Sequence, residues 1–323
     1  MLPYQVDFTV VLCIYEIFYD LVVLIKAGNG TKVRMEMGCS LFFVQQSKFF
    51  QRFNYEKRIP FTDMIYLTFL GTAGGRFATV YQTRATGGIY FEHETEERIC
   101  RLHIDPGPGA LVHAKIHRID PTKTDGIIVT HCHPDHYVDA EILVEAMTFG
   151  GRKKKGFLLG SKSTLEGIEG IGPCISKYFQ KNVEQSIILE NTSVKIGEVG
   201  ITPTKSHHSD PTTVGLKIAT EEGAISYVAD TAFSNEVAQM HKGARVLILP
   251  TTRPRNARIP YHLTTDDALE FVKIVKPELC VLTHFGLKMI EANPESEAKW
   301  VEENSGVRCI AAQDGMKISI DRN

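Results

Sequence analysis

The stretch His131-Cys132-His133-Pro134-Asp135-His136 says most about the architecture of this chain. It places three imidazoles and one carboxylate within six residues, all of them donors for first-row metals. The apolar run Gly126 to Thr130 stands directly before it and suits a short strand buried on both faces. On an extended backbone His131 and His133 point the same way, while Asp135 and His136 turn towards a second locus. A solvated histidine-rich loop would account for the composition of this stretch, but not for the histidines and the aspartate that recur later along the chain.

Three further candidates sit at the ends of other expected strands. His207 or His208 follows Ile201 to Lys205, Asp230 follows Ser226 to Ala229, and His284 follows Leu279 to Thr283. Donors that gather from several strand ends onto one sheet edge build a site at the mouth of a sandwich. Together they make seven, too many for one tetrahedral zinc. They suit two ions about 3.5–4 Å apart with a carboxylate between them.

From Met64 onward, short strands alternate with helices. Strands are expected at Ile65 to Leu70, Gly88 to Glu92, Arg101 to Ile104 and Ile116 to Ile119. Helical spacing runs from Asp139 to Phe149, with Ile142, Leu143, Ala146 and Met147 on one face, and recurs at Thr265 to Val275 and Pro294 to Asn304. Gly71-Thr72-Ala73-Gly74-Gly75 is a loop whose backbone turns sharply or approaches something closely. It lacks the Lys-Ser/Thr ending of a Walker loop and the spacing of a dinucleotide fingerprint, so no nucleotide cofactor is expected. No long linker or short repeat interrupts residues 64–323, which read as one compact α/β domain.

With these segments in order, the chain resembles the metallo-β-lactamase superfamily, and looks closest to its ribonuclease Z or phosphodiesterase-like branch. HCHPDH matches the family's HxHxDH signature without departure. TFLGTAGG (68–75), DPGPG (105–109), HHSDPTTVG (207–215), YVADT (227–231) and THFG (283–286) follow the family's order. The resemblance implies a four-layer αββα sandwich with a dinuclear metal site along one edge. Carried residue by residue, His131, His133 and His208 would hold one ion. Asp135, His136 and His284 would hold the other, and Asp230 would bridge the two. His208 is preferred to His207 for its spacing to Gly215, which leaves His207 as a buried or supporting histidine. Zinc is the expected ion, with manganese or iron as alternatives.

Two such cations would bring the pKa of a bridging water towards about 7 and polarise the substrate's acyl or phosphoryl oxygen. The implied activity is hydrolysis by this hydroxide, with Asp135 orienting it as well as binding metal. Oxygen-reducing members of the superfamily alter the HxHxDH pattern and carry a flavin domain; neither feature is seen here.

The bond that is cut is less directly legible. A phosphodiesterase or nuclease is favoured by TFLGTAGG, by Asp230 in place of the ligand cysteine of true β-lactamases, and by Tyr261-His262-Leu263-Thr264. That last segment resembles the ribonuclease Z branch's His-Ser/Thr-Thr element, which implies His262 as a proton donor near the scissile phosphate. Arg253, Arg255 and Arg258 stand close by as candidates for phosphate oxygens. No counterpart of the branch's long glycine- and proline-rich tRNA-gripping arm is evident, and the basic run Arg152 to Lys155 is short. The alternative is a carboxylic ester, lactone or thioester hydrolase, although a thioesterase like glyoxalase II usually shows GHT where this chain reads SHHSDP. A non-catalytic interaction protein is disfavoured, because every donor position is filled.

Composition narrows the partners. The 323 residues carry a formal charge of -2, so there is no general nucleic-acid-binding signature; a phosphodiester-containing or small ester substrate remains open. Seven cysteines from Cys13 to Cys309, irregularly spaced, read as reduced thiols of a cytoplasmic protein. A homodimer is a family-level expectation. Residues 1–63 form an extension of unknown role. Phe8 to Ile25 is long enough for a membrane span, but Glu16 and Asp20 argue against one, and no membrane partner is expected. Strands at Leu21 to Lys26 and Lys32 to Met37 around a Gly28-Asn29-Gly30 turn are the plainer reading. A further expectation is that the physiological chain begins at Met64, at the domain's first strand; peptides from residues 1–63 in the native protein would contradict it.

Overall fold

The computed structural model describes residues 9–12, 21–26, 32–37 and 63–321. The chain separates into two compact units, Met1–Ile59 and Pro60–Asn323. In the first, β1 (Thr9–Leu12), β2 (Leu21–Lys26) and β3 (Lys32–Met37) form an antiparallel sheet in that order. Both strands expected around the glycine turn are present; the turn itself lies outside the described residues. Among those described, no helix is long and apolar enough to cross a membrane.

The second unit holds two sheets of seven strands each. One is built from β4 (Met64–Phe69), β5 (Ile89–Glu94), β6 (Ile99–Ile104), β7 (Gly126–Val129), β8 (Phe157–Gly160) and β9 (Gln185–Ile188). The other runs β10 (Val194–Ile196), β11 (Val199–Lys205), β12 (Val214–Thr220), β13 (Gly223–Tyr227), β14 (Val246–Pro250), β15 (Leu279–Thr283) and β16 (Arg308–Ala311). The last strand, β17 (Lys317–Asp321), returns to pair with β4 at the first sheet's edge. Each sheet is antiparallel on one side and parallel on the other, with β6 to β9 and β13 to β16 parallel.

The layering follows from strand alternation. In β7, Ile128 faces the space between the sheets, where it joins Leu67, Phe91, Leu102, Leu216 and Ile248. Its neighbours Ile127 and Val129 face outward and are covered by the helix Ala140–Met147. Likewise Val281 of β15 points between the sheets, while Cys280 and Leu282 meet the helices Thr265–Val275 and Pro294–Ser305. Strands buried on both faces therefore read as unbroken apolar runs. Each large side chain buried there contributes roughly 1.5–3 kcal/mol. Helices on the outer face of each sheet complete the expected αββα sandwich.

Two local expectations are corrected. Ile116 to Ile119 is not a strand: Ala110–Ile116 is a helix, entered through Gly109 at φ 85°, with Ala110 and Ala114 buried one turn apart. Its β-branched Val112 and Ile116 are exposed, so their strand propensity was outweighed by the packing of the alanines. The helix over Ala140–Met147 buries Ala140, Leu143, Val144 and Met147, and Ile142 instead faces outward.

Candidate metal centre

The donors hang from the C-terminal ends of strands in both sheets. His131 follows β7, His208 follows β11, Asp230 follows β13 and His284 follows β15. His131 Nε2 and His208 Nε2 each lie 3.0 Å from His133 Nδ1. On the other side His136 Nε2 lies 3.1 Å from His284 Nε2, and Asp135 Oδ2 is 3.3 Å from the same His284 atom. Asp230 Oδ2 sits between the groups, 3.4 Å from His284 Nε2, 3.7 Å from His136 Nε2 and 3.9 Å from His208 Nε2. All seven donors expected from the sequence are thus brought together. His208 is the participant; His207, expected to be buried or supporting, is exposed.

The outer nitrogens explain why the inner ones are available. Thr130 Oγ1 gives its single proton to Asp105 Oδ2 at 2.7 Å, so it accepts from His131 Nδ1–H at 3.1 Å. His208 Nδ1–H donates to the Tyr261 carbonyl at 3.0 Å, and His136 Nδ1–H to Asp105 Oδ2 at 2.9 Å. Each ring is therefore held with its Nε2 lone pair turned to the centre. Burial, reinforced by the charge of His136, holds His131 well below the ordinary histidine range, and burial brings His208 down to about 4. His136 is the exception: burial pulls it down, but the carboxylates of Asp135 and Asp105 outweigh that and raise it well above the usual value. A cation entering there competes with this proton, so binding weakens at low pH.

The donor set fits divalent metal. A tetrahedron with zinc–nitrogen bonds of about 2.0–2.1 Å has edges of roughly 3.3 Å, close to the nitrogen separations here. Asp230 Oδ1 is buried without a hydrogen-bond partner, an orphaned acceptor that a cation would satisfy. Burial opposes ionisation of Asp135 and Asp230, yet the surrounding histidines hold both below the usual carboxylate range.

The glycine loop 71–75 approaches this centre, as its composition suggests. A Cβ at Gly74 would lie 2.1 Å from His284 Cγ, and Gly75 N–H donates to Asp135 Oδ2 at 2.8 Å. Asp105, Ala229 and His284 all have positive φ, at 50°, 57° and 59°. Such strain costs about 1–3 kcal/mol per residue and gathers at functional sites.

Sequence reasoning missed two supporting carboxylates. Asp105, in a segment that reads as a turn, is 3% exposed and accepts from Thr130 N–H, Thr130 Oγ1, His136 Nδ1 and the Tyr227 hydroxyl. Its signal was its place at the end of β6, next to β7. Asp210 anchors the loop that carries His131 to His136 through Cys132 N–H at 3.0 Å and also accepts from Ser163 Oγ. Asp105→Asn keeps the shape but not the charge, and is expected to weaken metal affinity about 10-fold. Competition with a chromogenic chelator measures this; unchanged affinity would show that other contacts orient His136.

His262 stands beside the cluster, with Nδ1–H donating to the Pro260 carbonyl at 3.0 Å and Nε2 3.5 Å from Asp230 Oδ2. The capping box of Thr264 and Asp267 at the head of the helix Thr265–Val275 fixes the chain two residues later. His133, Asp135, Asp230 and His262 open onto a cavity of about 870 Å³. Of the three arginines expected to meet phosphate, Arg255 pairs with Glu297 and Arg258 with Asp267. Neither lines the cavity; Arg253 does.

A two-sheet sandwich flanked by helices, with histidines and aspartates gathered on one edge, is the arrangement of metallo-β-lactamase-fold proteins. Residues 100–285 match the family described as the Beta-lactamase superfamily domain, and the chain belongs to that superfamily. It is 39% identical over 259 residues to an uncharacterized protein of Methanocaldococcus jannaschii, covering 79% of this chain and 95% of that protein. It is 23% identical over 302 residues to ribonuclease Z of Thermococcus kodakarensis, covering 78% and 93% of the two chains. The metallo-beta-lactamase fold protein YhfI of Bacillus subtilis superposes with a TM-score of 0.65 at 20% identity, over 80% of this chain and 99% of that one.

Proposed function

We propose that this chain is a dinuclear metal-dependent hydrolase of phosphodiesters. The observation that carries the reading is the convergence of donors into overlapping groups, among them His131-His133-His208 and Asp135-His136-His284, with Asp230 reaching histidines of both. These residues would hold the two ions in the arrangement expected from the sequence. Bound there, divalent ions supply an acidified water and a Lewis-acid grip on a phosphoryl oxygen.

The protein's own groups do the rest. Asp135, steadied by Gly75 N–H, is placed to orient the attacking water. His262, locked by the Pro260 carbonyl, presents Nε2 at the cavity wall, where it can hand a proton to the departing alkoxide. The likeness to ribonuclease Z supports a phosphodiester rather than a carboxyl substrate. The test is the metal-loaded protein against bis-p-nitrophenyl phosphate, p-nitrophenyl acetate, a lactone, S-lactoylglutathione and RNA. The highest kcat/KM is expected on a phosphodiester; turnover confined to the carboxyl substrates would overturn the reading.

A further inference from the structure

Arg253, Arg255 and Arg258 follow β14 within a few residues, but their fates differ. Arg255 meets Glu297 through Nε at 3.1 Å and Nη2 at 2.9 Å, and its guanidinium lies 4.8 Å from the centroid of the Trp300 ring. Arg258 is paired with Asp267, the residue that closes the capping box. Arg253 has its Nε–H buried without an acceptor among the described residues. Leaving a guanidinium donor buried and unsatisfied is costly, and an oxyanion that reaches it removes that cost.

The backbone keeps Arg253 in place. Its N–H donates to the Leu263 carbonyl at 3.3 Å and its carbonyl accepts from Thr265 N–H at 3.1 Å, which clamps it alongside His262. The residue before it, Thr252, touches His284 Nδ1 through Oγ1 at 3.1 Å. Arg253 is thereby tied to both the metal-donor edge and the proton-donor segment, and it lines the same cavity as Asp135, Asp230 and His262. Arg76 and Lys288 add positive charge to that wall against Glu291.

We propose that Arg253 is the residue that makes this site select an anionic phosphodiester over a neutral ester. Its guanidinium takes a non-bridging oxygen of the substrate phosphate, a bond no carboxylic ester or lactone can return with charge. The inference rests on the phosphodiesterase reading but concerns a residue outside the metal donors.

The experiment compares metal-loaded wild type, Arg253→Gln, Arg253→Lys and Arg258→Gln on bis-p-nitrophenyl phosphate and p-nitrophenyl acetate. Calorimetric titration of the same proteins with inorganic phosphate needs no turnover. Arg253→Gln is expected to lose about 30-fold in kcat/KM on the phosphodiester and less than about 3-fold on the acetate, with phosphate affinity down about 10-fold. Arg253→Lys should recover part of each loss, and Arg258→Gln should match wild type. Equal losses on both substrates, or unchanged phosphate affinity in Arg253→Gln, would overturn the proposal. If wild type cleaves only carboxylic esters while phosphate affinity still falls in Arg253→Gln, the phosphodiesterase reading fails and the anion site stands.

Discussion

Asp230→Ala is expected to lower kcat/KM by about 10³-fold or more, equivalent to about 4 kcal/mol of lost transition-state stabilisation. It should also reduce bound metal. The size of the effect follows from position: Asp230 Oδ2 lies within 3.9 Å of ring nitrogens of His136, His208, His262 and His284. Its other oxygen is buried and unpaired, so without a cation this carboxylate carries an unmet acceptor in a closed site. Alanine removes the shared carboxylate and leaves the two histidine groups facing each other with nothing between them. Asp230→Asn separates charge from shape, and should show most of the same loss while folding normally by circular dichroism. Kinetics paired with metal analysis measures both effects; an Asp230→Ala protein that keeps two ions and full activity would remove Asp230 from the centre.

His262→Ala is expected to cut phosphodiester turnover by about 10²-fold while leaving metal content unchanged. The two readouts matter together, because His208, Asp230 and His262 also lie close enough to share an ion. Burial lowers the affinity of His262 for a proton, but the neighbouring Asp230 carboxylate outweighs it and raises its pKa above the usual 6.5. That raise belongs to the metal-free cluster; in the loaded enzyme a proton donor must still start protonated, so activity should fall as pH rises through the His262 pKa. His262→Ala should flatten that alkaline fall as well as lower the rate. A drop in metal stoichiometry with an unchanged pH profile would make His262 a ligand instead.

Much of this was legible because the donors fall at strand ends in a single chain order. His131, His133, Asp135 and His136 lie within six residues, and His208, Asp230 and His284 each follow a segment that reads as a strand. What escaped depends on contacts the sequence does not encode locally. Strand β14, with all five residues from Val246 to Pro250 buried, has no alternation to separate it from a buried helical segment. Missing it hid the fact that Thr252 and Arg253 stand at a strand end beside His284. The ion pair that occupies Arg255 joins residues 42 apart in sequence, so nothing near Arg255 distinguishes it from Arg253. Asp105 reads as part of a glycine- and proline-rich turn, and only the neighbouring β7 reveals it as the acceptor that orients His136. The exposure of His207 likewise depends on how the chain leaves β11, a direction that adjacent histidines in sequence do not specify.

Whether one sheet edge holds two ions is decided by elemental analysis of the protein purified without added chelator, with activity followed as ions are removed and restored. About two divalent ions per chain are expected, with loss of hydrolysis on chelation and recovery on adding zinc or manganese. One ion per chain or fewer at full activity, or hydrolysis indifferent to chelation, would contradict a dinuclear centre at this edge.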